Sequence, residues 1–223
     1  MQKQPDKITV QGTLEKALEK LNIYSEVLHA GRTDRGVHAL NQVISFKTPS
    51  FWNKEKLLKE LNKILHPNIH IKKIDNVDND FNPRFDAKKR SYRYILNPYF
   101  SPFNADYTTY YPKKINLKLI KKALKLLEGQ HDFEYFAKTG SNVNNYIRTI
   151  YKTNAYTYKN LTIIKIEGNG FLRGQIRLIV DFVLKINENK LTFNDLESQL
   201  YKKRLISKHL APPNGLYLER IWY

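Results

Sequence analysis

The stretch Phe85-Asp86-Ala87-Lys88-Lys89-Arg90-Ser91-Tyr92-Arg93-Tyr94-Ile95-Leu96 mixes β-forming and basic residues and is closed by Asn97-Pro98. It reads as one long strand, because aromatic and branched side chains suit a pleated, half-buried surface and Asn-Pro starts a turn. The breaker-rich run from Tyr99 to Pro112 follows. A boundary at this point gives an N-terminal half over residues 1–100 and a C-terminal half over 101–223.

Upstream of that strand, helix and strand patterns alternate. Thr9 can cap a helix over residues 10–21, in which Val10, Leu14, Ala17, Leu18 and Leu21 recur at helical spacing. A short strand near Val27 to His29 leads into a Gly-bracketed loop, and Gln42 to Thr48 resumes as a strand. Leu57, Leu58, Leu61, Ile64 and Leu65 form a second amphipathic helix, ended by Pro67, and Ile69 and Ile71 begin another strand.

Downstream the order is similar. Leu117, Ile120, Leu124 and Leu127 make a helix face ringed by Lys114, Lys118, Lys121, Lys122 and Lys125, which is either plain solvated surface or a docking face. A hairpin turning at Tyr158-Lys159-Asn160 joins Ile147–Tyr158 to Thr162–Glu167. A helix beginning near Leu172 carries Ile176, Ile179, Val180, Val183 and Leu184. The simplest architecture is α+β: two ferredoxin-like or RRM-like halves, each an antiparallel sheet with helices on one side, and a catalytic cleft between them.

The composition narrows the partner. Among 223 residues, 38 Lys+Arg against 21 Asp+Glu give a formal charge of +17, which suits a polyanion. Fifteen Tyr and eleven Phe among those cations suit looped or single-stranded RNA, although a ring at strand spacing, taken alone, more often packs in the core. The absence of cysteine excludes disulfides, thiolate ligands and a cysteine nucleophile, and fits a reducing compartment. No apolar run approaches a membrane span and no secretory signal opens the chain, so a cytoplasmic protein is expected.

The loop Ala30-Gly31-Arg32-Thr33-Asp34-Arg35-Gly36-Val37-His38-Ala39 holds the most suggestive chemistry. Gly31 and Gly36 permit tight backbone around Asp34, and Arg32 and Arg35 crowd it with positive charge, which favours an ionised carboxylate able to act as nucleophile or base. The same pattern also describes an ordinary turn aspartate paired to an arginine. Arg177 lies in an otherwise apolar helix, one turn after Arg173, and so requires a buried partner. His29 and His38 flank the loop without paired-ligand spacing, so no metal role is assigned to them.

In its full wording the loop closely resembles the active-site signature of TruA-type tRNA pseudouridine synthases. Further blocks follow in the family's order along almost the whole chain: Thr9-Val10-Gln11-Gly12, Phe81-Asn82-Pro83-Arg84-Phe85, Arg90-Ser91-Tyr92-Arg93-Tyr94, Gly129-Gln130-His131-Asp132-Phe133, Arg148-Thr149-Ile150, Gly168-Asn169-Gly170-Phe171-Leu172-Arg173, and Ala211-Pro212-Pro213-Asn214-Gly215-Leu216-Tyr217-Leu218. The resemblance implies isomerisation of uridine to pseudouridine at tRNA positions 38, 39 and 40, in the anticodon stem-loop. It further implies a homodimer and no metal or organic cofactor.

Carried over motif by motif, Asp34 is implied as the catalytic carboxylate, Tyr92 as the ring that stacks on the target base, and Arg177 as the cation that pairs with the aspartate. Arg32 would hold the substrate backbone or fill the vacated base position, and Arg84, Arg148 and Arg173 would contact phosphate, with Arg220 a further candidate. Two departures qualify the match. The family normally opens with a strand upstream of Met1-Gln2-Lys3-Gln4-Pro5, and that strand is expected to be missing here. The segment Arg173-Gly174-Gln175-Ile176-Arg177-Leu178 keeps the arginine while its neighbours differ. The competing reading is a basic RNA-binding or chaperone protein of the same fold with impaired catalysis.

Overall fold

Thr9 sits in extended backbone and its hydroxyl accepts from the Gly12 N–H, closing the first turn of helix α1 (Val10–Glu19) as its capping position requires. A computed structural model of the chain describes residues 1, 7–140 and 143–223. The opening segment Gln2 to Pro5, on which the expected loss of a first strand bears, lies outside the described residues. In chain order α1 is followed by β1 (Leu28–His29), β2 (His38–Ala39), β3 (Ile44–Ser45), α2 (Lys54–Leu65), β4 (Lys89–Asn97) and β5 (Thr109–Tyr110). Then come α3 (Leu117–Lys125), β6 (Gly129–Asp132), β7 (Ile147–Tyr158), β8 (Leu161–Gly168), α4 (Gln175–Asn187), α5 (Phe193–Leu200) and β9 (Leu216–Trp222).

The chain has the α+β class expected, and it divides into two compact units: residues 1–33 with 42–87, and residues 34–41 with 88–223. The sequence reading drew its boundary near residue 100. The long strand β4 instead belongs with the second unit, and so does the segment that carries Asp34.

In the first unit, α1 and α2 bury Leu14, Ala17 and Leu18 against Leu57, Leu61 and Leu65, with Ile23 and Val27. Asn53 caps α2 by accepting from the Glu55 and Lys56 N–H groups. The expected strand over 42–48 shrinks to β3, paired antiparallel with β1. The ladder continues irregularly through Ala30 N–H to the Val43 carbonyl and Lys47 N–H to the Ser25 hydroxyl. No strand forms at Ile69–Ile71. Asn62 on α2 takes the partner's place: its side chain accepts from the Ile71 N–H at 2.7 Å and donates to the Ile71 carbonyl at 2.9 Å, satisfying both backbone groups.

The second unit is built on a seven-stranded sheet ordered β2-β9-β4-β8-β7-β6, with β5 beside the end of β4. Most pairs are antiparallel, but β2 runs parallel to β9 and β5 parallel to β4, so the sheet is mixed. Strand β4 starts at Lys89 rather than Phe85, because Asn82 folds the preceding residues into a turn, its side chain accepting from the Arg84 and Phe85 N–H groups. The β7–β8 hairpin turns at Lys159, whose φ of 53° is left-handed, between the paired Tyr158 and Leu161. Helices α3 and α4 bury Ile120, Leu124, Ile176, Ile179, Val180 and Val183 against the sheet's Tyr94, Leu96, Ile164 and Ile166. Strands β2, β5, β6 and β9 and helix α5 have no counterpart among the elements expected from sequence. The capping box of Thr192 and Asp195 marks the start of α5.

Candidate active site

Asp34 opens a short turn, closed by the Val37 N–H donating to its carbonyl. The chain then passes Gly36, whose φ of +80° places it in the left-handed region, with the Pro213 ring 3.0 Å from where a Cβ would sit. From there the segment is fastened to β9. His38 and Ala39 pair with Tyr217 and Leu218, the Leu40 N–H donates to the Leu218 carbonyl at 2.8 Å, and the Asn41 amide donates to the Glu219 carbonyl at 2.7 Å. The His38 ring stacks on Tyr217 at 4.7 Å and on Tyr107 at 5.5 Å, and its Nε2 lies 2.7 Å from the Asp106 carbonyl. His38 is therefore a structural clamp for the loop.

Arg177 projects from the first turns of α4 and finds the partner its burial demanded. Its guanidinium donates to Asp34 Oδ2 at 3.1 Å, and its Nε donates to the Ala211 carbonyl at 2.6 Å. The Ala211 N–H in turn donates to the Arg177 carbonyl, so backbone and side chain of one residue grip the same segment. The arginine side chain is 13% exposed and the aspartate side chain 28%, which leaves the carboxylate edge accessible. An ionised pair in that setting is worth more than a surface pair, since less water screens it.

The segment after Ala211 is locked from the opposite side. The Tyr94 hydroxyl, on β4, donates to the Pro212 carbonyl at 2.8 Å and lies 2.7 Å from the Thr109 hydroxyl. Burial pushes that phenol far above its ordinary range, although the hydrogen bond from Thr109 and the Arg177 charge pull it down. Thr109 also reaches the Asn214 side chain at 3.2 Å. A Cβ on Gly215 would meet the Thr109 hydroxyl at 2.6 Å and the Ile95 carbonyl at 2.7 Å, so this position admits only glycine without rearrangement. Sequence reading matched the block from Ala211 to Leu218 without assigning it work. Its work is to hold Arg177 and the Asp34 loop, and the Asn214-Gly215 pair was the available signal of a tight approach.

Tyr92 lies two residues before Tyr94 on the same strand, beside a register shift in the β4–β9 ladder between Ser91 and Tyr92. Its ring meets Phe171 edge-on at 5.3 Å. Burial pushes its hydroxyl up to about 12; the Arg90 charge pulls it down and the Asp34 carboxylate pushes it further up. Asp34 is thus close enough to act on Tyr92 through space, and the phenol is neutral at physiological pH.

The remaining candidates separate into two groups. Arg148, on β7, donates to the Asn145 side chain at 3.0 Å, and its guanidinium comes within 3.8 Å of where a Gly170 Cβ would sit, with Arg90 at 4.0 Å. Arg90 donates to the Asn169 carbonyl, so two arginines crowd the Gly168–Gly170 turn next to Phe171. Arg173 is exposed just before α4. Arg32 and Arg84 lie in the first unit, where burial, Arg32 and Arg84 together push the His29 imidazole below its ordinary range, against a backbone hydrogen bond that raises it. Arg84 is exposed, with its guanidinium 5.5 Å from the Phe85 ring. Arg220 is stacked over Trp222 at 5.1 Å.

A strongly basic α+β chain with a loop carboxylate ion-paired to a helix arginine beside a neutral tyrosine defines the general class, a protein equipped for acid–base or nucleophilic chemistry on a polyanion. Comparison with known proteins narrows it. The tRNA pseudouridine synthase family profile matches residues 1–86 and 123–223. The chain is 46% identical to tRNA pseudouridine synthase A of Campylobacter jejuni (strain RM1221), the match covering 99% of this chain and 92% of the relative. It is 42% identical to tRNA pseudouridine synthase A of Helicobacter hepaticus, over 96% of this chain and 89% of the relative. The Helicobacter pylori (strain ATCC 700392 / 26695) protein of that name is 40% identical, with 99% and 92% covered. The chain belongs to the tRNA pseudouridine synthase family, and the enzyme class is that of an isomerase. None of its helices, among the described residues, is long and apolar enough to cross a membrane.

Proposed function

We propose that this protein converts uridine to pseudouridine at positions 38, 39 and 40 of the tRNA anticodon stem-loop, with Asp34 as its catalytic carboxylate. The observation that carries this reading is the 3.1 Å contact between Asp34 and Arg177, since it joins a loop and a helix distant in sequence around one accessible carboxylate. The reaction breaks the C1′–N1 glycosidic bond, turns the uracil, and rejoins it through C5, whose proton must leave as N1 regains one. An ionised carboxylate can serve by attacking sugar or base or by accepting that proton, and the Arg177 contact holds it in place.

The target nucleotide must leave its stack to reach Asp34, at a cost of a few kcal/mol. Tyr92 offsets part of that cost by receiving the base on its ring face. Its phenol is pushed up to about 12 by burial, so it contributes a surface rather than a proton acceptor at neutral pH. Arg148 and Arg173 supply phosphate contacts from the second unit, and Arg32 and Arg84 supply them from the first. A homodimer acting in the cytoplasm completes the reading.

Incubating the protein with unmodified tRNA and mapping pseudouridine in the anticodon arm tests it. Wild type should form product and Asp34→Asn should lose at least about 10³-fold in rate while still binding tRNA. Binding without product by the wild type would assign the chain instead to the impaired RNA-binding class.

A further inference from the structure

A groove of about 560 Å³ between α3 and β7 has no part in the chemistry above, and its lining is strongly basic: Lys121, Lys122, Lys125 and Lys152, with Tyr151 and Asn154. The acid that also lines it, Glu128, is already committed. It pairs with Lys125, and its other oxygen accepts from the Thr153 N–H and hydroxyl, each at 2.8 Å. The groove therefore keeps an excess of positive charge. On α3 the lysines at 118, 121, 122 and 125 crowd one another at three- and four-residue spacing, and like charges four apart cost a helix about 0.2–0.5 kcal/mol per pair. A polyanion laid along the helix would reverse that cost.

Strand β7 is shaped for the same surface. In its ladder with β8, Ile150 faces Gly168 and Lys152 faces Glu167, which leaves Tyr151 as an inserted residue. The inserted Tyr151 and the Lys152 that follows it both line the groove. Tyr151 is half exposed there, an aromatic ring among lysines. Three residues before Tyr151 on the same strand stands Arg148, at the Gly168–Gly170 turn that adjoins Phe171 and Tyr92.

We propose that the α3–β7 groove is a second RNA-binding surface, which takes the phosphate backbone of the substrate tRNA away from the reacting nucleotide and offers Tyr151 for stacking. The partner chemistry rests on the reading of the protein as a tRNA-modifying enzyme. A ring flanked by ammonium groups matches a base or ribose flanked by phosphates, which an acidic protein surface would not use.

The test measures the Kd of the full chain for unmodified tRNA across a salt series, for wild type, for Lys121→Gln/Lys122→Gln/Lys152→Gln, and for a control triple on exposed α2 lysines, Lys54→Gln/Lys59→Gln/Lys63→Gln. The groove triple should weaken binding about tenfold or more at near-physiological salt and reduce the slope of log Kd against log salt by about 3, whereas the control should change the slope by less than 1. Tyr151→Ala should weaken binding at least about fivefold, and Tyr151→Phe should retain it. An unchanged slope in the groove triple, or an equal change in the control, overturns the proposal. Thermal melts of each variant identify any loss that comes from unfolding. Pseudouridine formation by the wild type, scored in the same samples, separates the two readings: no product rejects the reaction assignment, while the Kd comparison still decides the groove.

Discussion

Helix α4 carries two ionic clusters one turn apart, and they are built in opposite ways. Arg177 reaches a single carboxylate, Asp34, delivered by a loop 143 residues away in sequence. Asp181 is enclosed by near neighbours: Lys185 on its own helix at 2.8 Å and His209 at 2.6 Å, with Lys185 also donating to the Ser207 hydroxyl at 3.0 Å. Both clusters grip the segment from Ser207 to Ala211. Only the first leaves a carboxylate edge open to a substrate, with Asp34 28% exposed against 11% for the Asp181 side chain. A carboxylate enclosed by neighbouring groups is a fastening, and one reached across the fold with an open edge is accessible to a substrate.

Arg177→Met breaks the open cluster and should give the largest functional effect. Turnover is expected to fall on the order of 100-fold with a smaller change in tRNA Kd, measured by single-turnover kinetics alongside filter binding. A loss confined to Kd would show that the arginine serves substrate contact instead. Gly215→Ala attacks the support shared by the loop and by Tyr94. The added methyl meets Thr109 and the Ile95 carbonyl below 3 Å, so a loss of about 1–3 kcal/mol is expected in denaturant unfolding. Asp181→Asn breaks the closed cluster. It should cost about 1 kcal/mol of stability and under fivefold in turnover, because Arg177 keeps its own hold on Ala211. A larger turnover effect than that of Arg177→Met would invert the comparison. Tyr92→Phe sharpens it most finely: a ring that acts by stacking should retain activity within about threefold, whereas Tyr92→Ala should lose about 1–3 kcal/mol of base-stacking energy.

The contrast also bears on how much could be read in advance. Arg177 was legible because a guanidinium in a run of Ile, Leu and Val has to be paired, and the partner expected from the motif is the one observed at 3.1 Å. Helix α2 was legible from Leu57, Leu61 and Leu65, all buried as their spacing requires. Strand β2 was not, since its two residues have no periodicity of their own and its pairing joins His38 to Tyr217 across most of the chain. The Ile69–Ile71 segment looked like a strand because alternation shows which faces are apolar and says nothing of the backbone partner, which here is the Asn62 side chain.

What the sequence determined by itself was local and chemical: the cap at Thr9, the helical faces, the α+β class, the positive charge, and the residues of the Asp34 loop. What only the tertiary structure decided was company. It brought Ala211 and Tyr94 into the support of Arg177, made His38 a clamp on the loop, and set Tyr151 as a bulge beside Lys152. Propensity and periodicity act over a few residues, whereas hydrogen bonds and ion pairs depend on which distant backbone groups the packed core leaves without a partner.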